Sequence, residues 1–392
     1  MRQTLLAVLA VLLVAAPAQA LDAQQVQQRL SAQASSGGSY SGFYARDMAT
    51  GRVLVSVRRD VPRIPASVEK LFVTAAALLR FGPDGQLQTR VVTEGLVDDE
   101  GRLDGDVVLV GGGDPTLSEA GLDSLADAVK AAGVERITGG VLADDTAFDR
   151  RRGTPRTGFA PDYDLGGRLG ALLLKRGYQR DPALYVAQRF SKRLQAAGVE
   201  VGRRARLGGA PGDQAVELAR LGSATMRTLV RETNVPSDNF LAEMLLKALG
   251  AQYGGGGSTF SGAQVVRETL GDLGVRPRIV DGSGLSRANR ATPRQVVRLL
   301  ERMAGQEIAP SWTASLAVAG RSGTVSRRMR GTPASGRCHV KTGTIIGVSN
   351  LAGVCDTAGG QVAFAWLMNG VNPWSARALQ DRMTATLAGY TG

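Results

Sequence analysis

The chain has 392 residues, with 47 Lys+Arg against 35 Asp+Glu, two cysteines and one histidine. One histidine, His339, excludes His-rich metal sites such as H-E-x-x-H, and two cysteines cannot build a Cys₄ zinc cage. A 43% hydrophobic and 21% charged composition excludes a disordered chain, while the formal charge of +12 invites a nucleic-acid or membrane partner.

Residues 1–20 combine Arg2, an apolar run from Thr4 to Ala16, Pro17 and the small-x-small Ala18-Gln19-Ala20. That order predicts a signal peptide cleaved near Ala20; an uncleaved N-terminal anchor is the alternative. The mature chain is then expected in the periplasm or another extracytoplasmic space, which permits disulfides.

The next segment, 22–35, has helical spacing (Val26, Leu30, Ala34). Tyr40–Met48 and Arg52–Val57 predict two strands joined at Ala49-Thr50-Gly51. Pro62 and Pro65 precede an apolar helix, Ser67 to Leu79. From about 86 short strand-like runs appear: Thr89–Gly95, Asp106–Val110 and Arg136–Ala143, with a helix over Ser118–Ala132. Arg150–Gly167 reads as loop. Helices return near 181–197 and from Leu221–Arg231. Phe240, Leu241, Met244, Leu245, Ala248 and Leu249 form a helical stripe, followed by helices at Gly262–Leu273 and Thr292–Met303. The chain ends in strands at 338–344, 348–354 and 361–369 and a helix near Ser375–Leu387. Strands first, helices in the middle and strands last predict an α+β layer architecture. A hairpin centred on Ile345–Gly347 puts Cys338 almost opposite Cys355, a spacing suited to a disulfide; two buried free thiols are the alternative.

Three short patterns carry chemistry. Ser67-Val68-Glu69-Lys70 puts a hydroxyl and an amine on one helix face at i, i+3. A serine needs a base to become a nucleophile, and in a chain with one histidine and six lysines lysine is the available one. Its pKa must fall from roughly 10.4 towards neutrality to serve. Ser237-Asp238-Asn239 opens the Phe240–Leu249 helix, and taken alone it reads as a helix cap. Lys341-Thr342-Gly343-Thr344 lies on a strand. In the order S-x-x-K, S-D-N, K-T-G they form the set that recurs in penicillin-binding proteins and class A β-lactamases.

With these motifs the sequence resembles the penicillin-binding D-alanyl-D-alanine carboxypeptidases/endopeptidases of peptidase family S13, the class C low-molecular-mass group. Further segments carry the likeness: Asn239–Leu245, Asp281-Gly282-Ser283-Gly284-Leu285-Ser286-Arg287, Thr292-Pro293, Gly323-Thr324, Arg328-Met329, Thr332-Pro333-Ala334, Gly113–Leu117 and Asp144-Asp145-Thr146. Fuller members hold two extra domains between the first and second motifs. Here 166 residues separate Lys70 from Ser237, so a reduced insert is expected. The resemblance implies the serine β-lactamase/DD-peptidase fold, an antiparallel sheet flanked by helices, with an inserted α/β domain. The expected division is 21–85 and 223–392 for the transpeptidase-like part and 86–222 for the insert.

The resemblance also implies roles. Ser67 attacks the carbonyl of the penultimate D-alanine and Lys70 takes its proton. Ser237 relays a proton to the leaving D-alanine, and Asn239 bonds the substrate amide and Lys70. Lys341 supplies positive potential to the substrate carboxylate and depresses the pKa of Lys70. Thr342 and Thr344 bind that carboxylate, and the N–H groups of Ser67 and Thr344, beside Gly343, form the oxyanion hole. Asp149 is the candidate for the amino group of the peptide's diamino acid, against a solvated loop carboxylate. Peptidoglycan peptides and β-lactams are the expected partners, with no cofactor and no metal.

Two other readings compete. A β-lactamase or esterase on the same scaffold needs a group that activates water on the acyl-enzyme, and no E-x-x-L-N box follows Ser67. A non-enzymatic wall-binding protein would not need the intact motif residues. The +12 is carried by 41 arginines scattered along the chain. In an exported protein nucleic acid is not the expected partner; codon bias is the simplest explanation of the arginines, with peripheral attraction to an anionic wall or membrane surface as an addition to it. His339 lies two residues before Lys341, on the same strand face.

Overall fold

The computed structural model describes residues 20–392. The signal-peptide expectation concerns residues 1–20 and, apart from Ala20, lies outside the described residues. The elements run α1 (Ala23–Ser35), β1 (Ser41–Asp47), β2 (Val53–Val57) and α2 (Lys70–Phe81). Then come β3 (Gln88–Thr93), β4 (Arg102–Leu103), β5 (Val107–Gly111), α3 (Glu119–Ala131), β6 (Arg136–Ile137), β7 (Val141–Asp144), α4 (Pro182–Ala196), β8 (Glu200–Val201), β9 (Arg206–Leu207) and β10 (Val216–Gly222). The chain continues through α5 (Met226–Asn234), α6 (Asn239–Tyr253), α7 (Thr259–Gly271), α8 (Pro293–Ala304), α9 (Ala309–Ala314), β11 (Ala317–Val318), β12 (Cys338–Ile345), β13 (Val348–Thr357), β14 (Gly360–Asn369) and α10 (Pro373–Ala388).

The main sheet has the order β11-β12-β13-β14-β1-β2 and is antiparallel throughout. It joins strands from the two ends of the chain, β1 pairing with β14. Helices cover both faces. Phe364, Trp366 and Met368 point to the side of α1 and α10. Ala363, Ala365 and Leu367 point to the side of α2, α6 and α8. Burial on both faces explains why β14 reads as an unbroken apolar run rather than an alternating one. α2 is buried from Lys70 to Leu78, as a helix apolar all round should be. The arrangement is α+β, an antiparallel sheet flanked by helices.

Strands β3 to β10 build two further sheets. One has the order β10-β3-β5-β7-β9, its β5, β7 and β9 parallel, and α3 and α4 share its core. The other is the parallel trio β4-β6-β8. One strand expected over 136–143 is thus two strands in two sheets. Gly139 and Gly140 make the crossing, their N–H groups bonding Gly105 O and Asp106 Oδ1, both at 2.7 Å. β10 gives little sequence signal because it is an edge strand with one buried residue, Ala219, and no clean alternation of apolar and polar side chains. Residues 145–181 hold short 3₁₀ turns and one isolated bridge, Phe148 to Gly257, among long loops.

β12 and β13 pair in the register that sets Cys338 against Cys355, and the two sulfurs are bonded.

Candidate active site

Ser67 does not sit in α2 itself. It lies in a 3₁₀ turn, Ala66–Glu69, that leads into the helix at Lys70. The turn is held in a demanding conformation. Ala66 has φ of 45°, the left-handed region that costs a residue with a Cβ of order 1–3 kcal/mol. Two asparagines of the main sheet hold the approach. Asn350 Nδ2 donates to Ile64 O and Pro65 O at 3.0 and 2.7 Å. Asn369 Oδ1 accepts from Ile64 N at 2.8 Å. β12 passes so close that a Cβ on Gly343 would lie 3.0 Å from Ser67 N and 2.6 Å from Pro65 O. Only glycine lets the third motif meet the first there.

Lys70 is fully buried. Its Nζ donates to Ser67 Oγ at 2.9 Å, Asn239 Oδ1 at 2.7 Å and Ser283 O at 2.6 Å. Burial lowers it to about 8, against the opposing pull of the Asp281, Glu243, Asp238 and Glu69 carboxylates. That pull is weakened because burial raises three of the acids too: Glu69 well above its usual range, Asp281 upward and Glu243 to about 7. An amine near neutrality, touching a serine hydroxyl, can accept its proton.

Ser237 and Asn239 come from the turn before α6. Ser237 has φ of 66°, another left-handed residue at the site. Its Oγ accepts from Lys341 Nζ at 2.7 Å. Asp238 caps α6, accepting from Leu241 N at 2.9 Å. The cap and the motif are one feature, with the flanking residues facing the two lysines. Lys341 is also fully buried and bonds Thr342 O at 3.0 Å. It lies well below the usual lysine value through burial first and the Lys70 charge second. Burial is the main cause that lowers Lys70, and the two buried amines repel one another, which favours a neutral form in the pair.

Two cavities open from this centre. One, of about 350 Å³, is lined by Ser67, Ser237, Thr324, Arg328, Thr342, Thr344 and Arg377. Thr342 and Thr324 share a hydrogen bond at 2.8 Å. Arg328 is committed to Asp381 at 2.7 Å and Gln380 at 3.0 Å. The other, of about 430 Å³, includes Asn239, Arg287, Thr344, Ile346, Arg156 and Asp164. Thr344 lines both.

Asp149 is not among the residues lining either cavity. Its Oδ1 accepts from Lys247 Nζ at 2.5 Å, and that lysine is buried and also bonds Arg151 O at 2.9 Å. Asp149 is a half-buried carboxylate that neutralises a buried lysine of α6, away from the cleft. The carboxylate the insert does bring to the cleft is Asp164, paired with Arg156 at 2.7 Å. His339 is absent from both cavity linings too.

Other contributors escaped the motif reading. Glu243 Oε1 accepts from Gly282 N and Ser283 N at 2.9 and 2.8 Å. Asp281 accepts from Gly284 N, Ser286 N and Asn289 Nδ2 at 2.6–2.9 Å. Together they shape the turn that presents Ser283 O to Lys70. Gly284, with φ of 83°, packs where a Cβ would meet Ala66 O and Ser67 N. The available signal was the polar line Asn239, Glu243 and Lys247 at i, i+4 and i+8, opposite the apolar stripe of α6, on a helix buried over most of its length. A proton acceptor, an activated hydroxyl and two cationic ends of a cleft together suit acyl transfer from a carboxylate-bearing substrate.

Comparison with known proteins gives one family by sequence and a shared fold by structure. The family model described as D-Ala-D-Ala carboxypeptidase 3 (S13) matches residues 22–163 and 175–390. The chain is 33% identical to a D-alanyl-D-alanine carboxypeptidase of Actinomadura sp. (strain R39), over 91% of this chain and 82% of that one. Penicillin binding protein 4 from Haemophilus influenzae has the same fold, with a TM-score of 0.77 at 22% identity over 91% of this chain and 98% of that one. A predatory endopeptidase from Bdellovibrio bacteriovorus, solved with an immunity protein, follows at TM-score 0.59 and 19% identity, over 88% and 92% of the two chains.

Proposed function

The chain belongs to the S13 family of D-Ala-D-Ala carboxypeptidases, and from that premise we propose that Ser67 and Lys70 carry the reaction as nucleophile and base. Ser67 Oγ attacks the carbonyl of the penultimate D-alanine of a peptidoglycan stem peptide, and Lys70 takes the hydroxyl proton. The backbone N–H groups of Ser67 and Thr344 receive the developing oxyanion. The bond to the terminal D-alanine breaks as Ser237 passes a proton to the leaving amine. An ester on Ser67 remains, and water hydrolyses it. Asn239 bonds the substrate amide while holding Lys70, and Lys341, Thr342 and Thr344 receive the terminal carboxylate. A β-lactam presents the same carbonyl and carboxylate and acylates the same serine.

The observation that carries this reading is the Lys70 amine. It touches Ser67, Asn239 and the Ser283 carbonyl at once, and burial brings it to about 8. The test is incubation of the mature chain with pentapeptide muropeptides, followed by product analysis. Release of free D-alanine, abolished in Ser67→Ala, is expected. Intact pentapeptides after prolonged incubation would contradict it.

A second activity, endopeptidase cleavage of cross-links, has its own support. Arg377 lines the cavity on the Thr342 side, and the ion pairs of the described residues do not include it. A cross-linked leaving group carries further carboxylates that such a cation can receive. Digestion of cross-linked dimers in the same assay separates the two activities. The diamino acid's amino group is read as meeting Asp164 rather than Asp149, a reading supported by the cavity that Asp164 lines, with Arg156 as its partner in the free protein. The N-terminal pattern supports export to the compartment that holds this substrate. No helix of the described residues is long and apolar enough to cross a membrane.

A further inference from the structure

We propose that Arg176, which the chain supplies from the inserted segment, is a positioning residue for the reaction. It clamps the Ser237-Asp238-Asn239 turn so that its two flanking side chains stay in register with Lys341 and Lys70. The insert is then part of the catalytic apparatus, and not an appendage beside it.

The contact is built. Arg176 Nη1 and Nη2 donate to Asp238 Oδ2 and Oδ1, both at 2.9 Å, in the fork geometry that fixes a carboxylate in orientation as well as position. Nε of the same group donates to Gly166 O at 2.6 Å. Its guanidinium lies 4.5 Å from the centre of the Phe240 ring. The side chain is thus held on both sides before it reaches Asp238. The backbone that delivers it is strained. Lys175, Arg176 and Gly177 have successive φ values of 49°, 62° and 66°. Two non-glycine residues in this region persist only where the surroundings over-determine them. Residues 164–174, just before this turn, are also the gap between the two segments matching the S13 family.

Asp238 is the point where a clamp has most effect. Its neighbours on each side reach the two buried lysines, Ser237 Oγ to Lys341 and Asn239 Oδ1 to Lys70. The insert grips the same helix twice more. Asp164 O accepts from Asn239 Nδ2 at 2.7 Å, which turns Oδ1 of that amide towards Lys70. Two turns along α6, Lys247 is held by Asp149 and Arg151 O. Asn239 and Lys247 stand at i and i+8 with Glu243 between them, so one stripe of α6 links the insert to the reaction centre.

This inference rests on the roles given above to Ser67, Lys70, Ser237 and Asn239, and its test separates the two. Wild type, Arg176→Ala, Arg176→Lys, Asp238→Asn and the double variant Arg176→Ala/Asp238→Asn are compared in the full mature chain. Penicillin acylation rate, the kcat and KM of D-alanine release, and melting temperature are measured. The clamp predicts an acylation loss of about tenfold or more in Arg176→Ala, expressed mainly in kcat. It predicts partial recovery in Arg176→Lys and on adding millimolar guanidinium ion to Arg176→Ala. The double variant should be no slower than the slower single one, because both break one contact. Acylation within about twofold of wild type in Arg176→Ala overturns the clamp, whatever the melting temperature does. So does a loss that guanidinium leaves unchanged and that adds fully in the double variant. Labelling of Ser67→Ala would instead overturn the site on which the clamp acts.

Discussion

Lys70 is the residue on which the chemistry turns, and its environment makes a signed pH prediction. Its pKa is lowered to about 8 by burial. Below that value the amine is protonated and cannot take the Ser67 proton; above it the free base is present. Acylation by a penicillin should therefore rise about tenfold per pH unit up to about 8 and then level. A rate independent of pH between about 5 and 8 would remove Lys70 as the base. Lys70→Arg, which keeps the charge but cannot lose its proton, should cost about 10²–10⁴-fold in acylation. Gly343 makes a geometric prediction. A Cβ there would press on Ser67 N and Pro65 O. Gly343→Ala should lower acylation by at least about tenfold, and a wild-type rate would show that the approach of β12 is looser than described.

At the scale of elements, β12 carries the third motif, and its other end is stapled by Cys338–Cys355. The bridge closes a loop of 17 residues, for which the chain-entropy argument gives about 3 kcal/mol. Replacing both cysteines by serine should cost about 2–3 kcal/mol in urea unfolding, with acylation retained. A collapse of activity with unchanged stability would give the bridge a different role. This hairpin was legible because its two strands are adjacent in sequence and their register follows from a short turn. The three motifs were legible because spacing alone puts Ser67 by Lys70 and Ser237 ahead of a helix. The contacts that hold them were not. Ser283 O on Lys70 and Arg176 on Asp238 join segments far apart in the chain, and the loops that bring them have no periodicity to read. Asp149 failed for a related reason: its partner is Lys247, 98 positions away. The strand expected over 136–143 was real as apolar pattern, but pattern does not say that a glycine pair hands the chain from one sheet to another.

At the scale of the molecule, the reaction centre is a junction of α2, α6, β12 and loops from the insert, β12 contributing Lys341, Thr342 and Thr344. Its cationic character extends beyond the cleft, since the whole chain carries +12. Exposed charges act through a screened field. Co-sedimentation of Ser67→Ala with purified peptidoglycan should therefore weaken as salt rises from about 50 to 300 mM; binding indifferent to salt would assign retention to the cleft alone. The central claim is that Ser67 is the nucleophile of an S13 peptidase. Intact mass after incubation with a penicillin tests it most directly. One covalent adduct on the wild-type chain, absent from Ser67→Ala, is the expected result. An adduct that persists on Ser67→Ala would contradict it.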